Sequence, residues 1–270
     1  MIKLIAIDLD GTLLKDDKTI SDKNRETLMK AKEQGVKVVL CTGRPLNSVV
    51  GHLETLNLLD EGDYAVTFNG GLIQRNDTGE IISKELMSHD DVVTLYELTQ
   101  ELGLPLDIVA GSDVLTVQPQ PETCQSLYHT LNPLLTYKDI PLEEVSEEGS
   151  YNKMVCAVPS EAIEEKMPLI PARYHERYNI VRSGEFIFEF LPKTVSKGFG
   201  LKRLGEILDI KPEEMMALGD EENDLSMIEF VGLGVAMENG SDVVKNVAQH
   251  ITVSNEEDGV AVAVEKFVLN

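Results

Sequence analysis

Asp8 and Asp10 stand one residue apart in Asp8-Leu9-Asp10-Gly11-Thr12, directly after the apolar run Lys3-Leu4-Ile5-Ala6-Ile7. Two carboxylates so placed can divide the work of phosphoryl transfer. One attacks phosphorus and its neighbour handles the proton. A plain turn or a weak cation site is the bland alternative for so short a motif. Three further groups bear on the choice. Thr42-Gly43-Arg44-Pro45 closes a second apolar run, Lys197 opens an amphipathic stretch, and Gly219-Asp220-Glu221-Glu222-Asn223-Asp224 closes a third run. Each has its own structural reading, as a strand-to-helix turn, a helix start or a capping loop. A lysine at a helix start opposes the helix dipole, which favours a site requirement for Lys197. Carboxylates crowded at one edge repel unless a cation sits among them, and hard oxygen ligands favour Mg²⁺. The Thr42 hydroxyl, N–H groups at the glycines and the Lys197 ammonium can hold a phosphoryl group.

These groups must be carried by strands that end side by side. The first run reads as a buried parallel strand, because it is apolar without alternation and stops at a turn. A helix follows from about Ser21, its cap, to Gln34, with Gly35 as its stop. Val36 to Leu40 reads as a second strand. Pro45 suits the first turn of a helix striped by Leu46, Val49, Val50, Leu53 and Leu56. Tyr64 to Phe68 reads as a third strand, ending in Asn69-Gly70-Gly71. This βαβαβ order predicts a parallel sheet covered by helices.

From about Lys84 to Pro192 the pattern changes. Helices alternate with strands at Asp107–Ala110, Val114–Gln118, Met154–Val158, Ile180–Arg182 and Phe186–Leu191. Gly111-Ser112 and Ser183-Gly184 read as hairpin turns, which predicts an inserted α+β domain with an antiparallel sheet. Glu143 to Gly149 is an acidic loop. After Pro192 the first pattern returns: a helix from Lys197 with Leu201, Leu204, Ile207 and Leu208, a strand at Met215 to Leu218, and a helix to Phe230. A strand at Gly234 to Met237, a helix from Ser241, a strand at Ile251 to Val253 and a helix from Asp258 complete it. The division is therefore one domain of residues 1–83 and 193–270, interrupted by residues 84–192. Ligands in such sheets bind outside the carboxyl ends of the strands, where the polar groups fall.

With 42% apolar and 26% charged residues the chain is globular. Its net charge of −23 argues against nucleic acid and anionic membrane surfaces as partners. Cys41, Cys124 and Cys156 are too few and scattered for a disulfide framework or a zinc site, and fit a reducing cytoplasm. No apolar stretch reaches membrane-spanning length, and because Met1 leads almost directly into a core strand no signal peptide is expected.

The ordered set resembles the haloacid dehalogenase-like hydrolase superfamily over essentially the whole chain. Asp8 to Thr12 resembles its first motif, Thr42 its second, Lys197 its third, and Gly219-Asp220 with Asn223-Asp224 its fourth. The place and size of the insertion, with Asn69-Gly70, are similar to the Cof-type subgroup and its sugar phosphatases. The resemblance implies a Rossmann-like parallel-sheet core carrying an inserted α+β type-two cap that sets specificity. It implies a Mg²⁺-dependent phosphatase of small phosphorylated metabolites, sugar phosphates foremost. Asp8 would be the nucleophile that becomes an aspartyl phosphate, and Asp10 the acid and base. Mg²⁺ would be held by Asp8, the Asp10 backbone carbonyl and Asp220, with Asp224 orienting ligands behind them. Thr42, Lys197 and Asn223 would hold phosphate oxygens, aided by the Leu9 and Gly43 N–H groups. A phosphomutase would share the intermediate and return the phosphate to a sugar. A non-catalytic Mg²⁺ or phospho-ligand binding module would show no turnover.

Overall fold

Alternate residues of the first strand, β1 (Leu4–Ile7), bury on opposite faces of one sheet: Ile5 and Ile7 in one apolar cluster, Leu4 and Ala6 in another. A strand covered on both faces has no polar side, which is why the run shows no alternation. The computed structural model describes residues 1–269. After β1 come α1 (Asp22–Glu33), β2 (Lys37–Cys41), α2 (Val50–Thr55), β3 (Tyr64–Thr67), β4 (Leu72–Arg75) and β5 (Ile81–Lys84). The middle of the chain holds α3 (His89–Leu102), β6 (Asp107–Ala110), β7 (Asp113–Gln118), α4 (Tyr128–Leu131), β8 (Thr136–Pro141), β9 (Lys153–Ala157), α5 (Ser160–Lys166), α6 (Ala172–Arg177), β10 (Tyr178–Gly184) and β11 (Ile187–Pro192). The last part holds α7 (Lys197–Leu208), β12 (Met215–Gly219), α8 (Leu225–Phe230), β13 (Leu233–Ala236), α9 (Asp242–Val247), β14 (His250–Ile251) and α10 (Gly259–Val264).

The chain divides into two units, Met1–Lys84 with the chain from Ser196 onward, and Glu85–Val195. The second boundary falls three residues beyond the Pro192 read from the sequence. Val195 is fully buried, donates its N–H to Pro192 and accepts a 2.6 Å hydrogen bond from the Asn179 side chain.

In the first unit eight strands run in the order β14-β13-β12-β1-β2-β3-β4-β5. Those from β14 to β3 are parallel, and β4 and β5 add antiparallel edges. The β4–β5 hairpin is an addition to the sequence reading. The chain leaves β1 in one direction through β2 and β3, and returns on its other side through β12, β13 and β14. The order therefore reverses at β1, the place where open α/β sheets bind their ligands beyond the carboxyl ends. The helix read after Pro45 is split into a 3₁₀ turn at Leu46–Ser48 and the short α2, while Val49, Leu53 and Leu56 stay buried.

In the second unit six strands run in the order β10-β11-β9-β6-β7-β8. The expected antiparallel sheet needs one correction, because β8 joins the edge parallel to β7. One face carries an apolar cluster with Phe188, Phe190, Met154, Ile108, Leu95 and Leu98. On the alternate residues lies the buried Lys153–Glu189 ion pair, at 2.5 Å.

Candidate active site

The β1–β12 register sets Ile7 beside Leu218, so Asp8 leaves the sheet next to Gly219-Asp220. Asp8 donates its own N–H to the Leu218 carbonyl at 3.1 Å, which fixes where β1 ends. Gly11 then turns the chain at φ +78°, where a Cβ would collide with the Asp220 carboxylate. Glycine is required there both by the backbone and by the close approach. Thr12 completes the turn by donating from Oγ1 to Asp220 Oδ1 at 2.7 Å.

Lys197 begins α7, capped by Ser196, whose Oγ accepts from the Phe199 N–H at 3.1 Å. The lysine is fully buried. Its Nζ donates to Asp8 Oδ1, and to Asp224 Oδ1 at 2.6 Å. Two carboxylates answer the unfavourable helix end. Burial alone would lower the lysine's pKa, but Asp224 and Asp8 outweigh it and hold the ammonium charged. Asp224 spends its other oxygen on the N–H groups of Asp220 and Glu221, at 2.9 and 3.1 Å. It therefore shapes the loop after β12 and anchors Lys197 at once.

Asp8, Asp220 and Asp224 each bring a carboxylate oxygen within 4.8 Å of the others. One ammonium does not balance three carboxylates. Burial, with the charges of Asp224 and Asp10, pushes Asp8 up to about 7 against the pull of Lys197. Burial and the charges of Asp8 and Asp224 push Asp220 up to about 8. The cluster thus retains protons that ordinary carboxylates give up, or takes a cation in their place. Its donors are hard oxygens and suit a divalent ion of the Mg²⁺ type. Asp224 already has both oxygens engaged, so Asp8 and Asp220 are the side chains of the cluster that fit as ligands.

Asp10 stands apart from this cluster. Its carboxylate accepts a bidentate pair from Arg44, Nε at 2.9 Å and Nη2 at 2.7 Å, and a third bond from Lys18 at 2.9 Å. Burial would raise its pKa, but the Arg44 charge and the Lys18 contact hold it below the usual carboxylate range. Thr42 and Asp224 are buried, and the Thr42 Oγ1 accepts from the Arg44 N–H at 3.1 Å, closing the turn that carries Gly43. Leu9 is buried between the two aspartates. Asn223 donates from Nδ2 to Asn69 Oδ1 at 3.1 Å. Cys41 is buried, which pushes its thiol up to about 12 and leaves it unreactive.

The sequence reading did not assign Thr12, Lys18 or Asn69 a part. Thr12 was visible inside the first motif, and Asn69 stood in a turn of its own. Lys18 carried no signal, because its link to Asp10 depends on how the polar stretch folds back.

A model of the haloacid dehalogenase-like hydrolase family matches residues 5–264. Among similar proteins, YxeH of Bacillus subtilis (strain 168) is 40% identical over 100% of this chain and 99% of its own. The 5-amino-6-(5-phospho-D-ribitylamino)uracil phosphatase YwtE, also of Bacillus subtilis (strain 168), is 32% identical over 99% of this chain and 98% of its own. The solved structure of the subclass IIB sugar phosphatase BT4131 superposes with a TM-score of 0.82 at 25% identity, covering 99% of this chain and 100% of that one. Among the described residues no helix is long and apolar enough to cross a membrane.

Proposed function

The chain belongs to the haloacid dehalogenase-like hydrolase family, and from that premise we propose that it is a phosphatase of small phosphate monoesters, sugar phosphates foremost, with Asp8 as nucleophile and Mg²⁺ as cofactor. The observation that carries the reading is the pairing of buried Asp8 with buried Lys197 at the carboxyl end of β1, beside Asp220. A carboxylate so fixed is aimed at one point, and the ammonium that fixes it also offers charge to a phosphoryl oxygen.

In the first half-reaction an Asp8 oxygen bonds to phosphorus and the bond from phosphorus to the ester oxygen breaks. The leaving oxygen takes its proton from Asp10. In the second, a water oxygen bonds to phosphorus, its proton passes to Asp10, and the bond to Asp8 breaks, releasing inorganic phosphate. Paired with Arg44 and Lys18, Asp10 is in the ionised form that accepts a proton. To donate one in the first half-reaction it must first release those partners and take up a proton from solvent. Thr42, Gly43, Asn223 and Lys197 hold the phosphoryl oxygens, with the Leu9 N–H. Asp8, Asp220 and the Asp10 backbone carbonyl would hold the divalent cation, which would supply positive charge to the phosphoryl oxygens and relieve the carboxylate repulsion.

The test is release of inorganic phosphate from a panel of hexose phosphates, erythrose 4-phosphate, flavin mononucleotide and 5-amino-6-(5-phospho-D-ribitylamino)uracil. Release with Mg²⁺ that stops on chelation is the expected result. No release from any ester, or transfer of phosphate to a second sugar in its place, overturns the reading. Choice of substrate is assigned to the inserted unit, Glu85–Val195. Exchanging it for the insertion of a related phosphatase should redirect preference across the panel and leave Mg²⁺ dependence in place. A folded chimera with the original preference would contradict that assignment.

A further inference from the structure

We propose that Asn69 is a positioning residue that locks the two phosphate-holding loops, Thr42-Gly43 after β2 and Asn223 after β12, into one frame. The inference rests on the assignment of phosphate binding to those loops. Strands β2 and β12 are not neighbours, because β1 lies between them. At about 4.8 Å per strand their ends are separated by roughly 10 Å, and among the described residues β2 and β12 share no strand pairing. Something else must fix their spacing if both are to grip one phosphoryl group.

Asn69 follows β3, on the far side of β2, and reaches both. Its N–H donates to the Thr42 carbonyl at 2.9 Å, and the N–H of Phe68 donates to the Arg44 carbonyl at 3.4 Å. Its Oδ1 accepts from Asn223 Nδ2 at 3.1 Å. The Asn69 amide also lies 3.1 to 3.4 Å from the point where a Cβ on Gly43 would sit, so it is packed directly on that backbone.

The backbone is bent to make this reach. Phe68, Asn69 and Gly70 all have positive φ, at 52°, 54° and 97°. Such a run is unfavourable for a non-glycine residue and persists where the surroundings over-determine it. Asparagine is the side chain that best tolerates this region while still offering an amide. At Gly70 a Cβ would collide with the carbonyl of Ser196, the residue before Lys197. The same turn therefore also rests on the start of α7. Asn69 is buried, with its side-chain oxygen bonded to Asn223 and its amide packed on Gly43, so its part is to hold those neighbours in place.

The experiment separates the amide from the backbone. Asn69→Gly keeps the left-handed turn and removes the side chain, and Asn69→Ser is a second variant for the case in which the glycine variant does not fold. Affinity for inorganic phosphate, titrated by calorimetry with Mg²⁺ present, should fall about tenfold in either variant. In an Asn223→Ala background the same change should cost less than about twofold, because the contact is already lost. Wild-type phosphate affinity in the folded variant overturns the proposal. So does an equal loss with and without Asn223, which would make the two residues independent. Phosphate binding by the native protein without turnover of any ester would sink the phosphatase reading and leave this inference standing. Absence of phosphate binding by the native protein would sink both.

Discussion

Asp8→Asn should abolish turnover, by at least about a thousandfold, and leave the protein folded. The amide is nearly isosteric and keeps a carbonyl oxygen for Lys197, but it has no charged oxygen to bond to phosphorus. Lys197 retains Asp224 as a charged partner, so its ammonium is not stranded in the interior. Asp10→Asn should lower the rate by about a hundred- to ten-thousandfold, the range of general acid–base work. An activated ester with a good leaving group should recover part of the first half-reaction in that variant, because such a group needs no proton. Phosphate release, with mass spectrometry to exclude deamidation, distinguishes the two. An Asp8→Asn protein with wild-type release and no deamidation would remove Asp8 from the role of nucleophile.

Mg²⁺ should raise the melting temperature, and by more in alkaline than in acid solution. Asp8 and Asp220 are raised to about 7 and about 8 by burial and by neighbouring carboxylates. In the unfolded chain both titrate near 4. The native state therefore binds more protons than the unfolded one between those values, and stability falls as pH rises. The contribution is fully present below about pH 4 and is lost as pH passes through 7 and 8. Above that the metal-free cluster carries its full repulsion, and a cation has the most to relieve. At about 100 times its dissociation constant Mg²⁺ should add about 2.7 kcal/mol, or roughly 5–10 °C. Asp220→Asn should raise the stability of the chelated protein above pH 8 (approximately) and shrink the Mg²⁺ shift. Thermal unfolding with chelator and across a Mg²⁺ titration reads both, and an undiminished shift in Asp220→Asn would take Asp220 out of the metal site.

The strand ends that gather the site were legible in the sequence, because apolar runs stop at Asp8, Thr42 and Asp220 and only a doubly covered strand reads that way. Lys197 was legible as an anomaly, a cation at a helix start, and the carboxylates of Asp8 and Asp224 are its explanation. Elements at sheet edges were harder. β5 exposes Ile81 and Ile82, and β8 reads Thr-Tyr-Lys-Asp-Ile-Pro, so neither presents the periodicity of a half-buried strand. The parallel docking of β8 on β7 cannot be read from hairpin turns at all. Within the site, Arg44 meets Asp10 across 34 positions and Asn69 meets Asn223 across 154. Contacts of that kind depend on the strand order, and on three successive positive φ angles that only the folded turn reveals.

In the proposed mechanism phosphate passes through Asp8. Borohydride added during steady turnover of a sugar phosphate with Mg²⁺ reduces an acyl phosphate to the corresponding alcohol, which peptide mass spectrometry locates. The reading predicts homoserine at position 8, formed only with substrate and Mg²⁺ both present. Continued phosphate release with Asp8 unmodified, or modification at a different carboxylate, would contradict it.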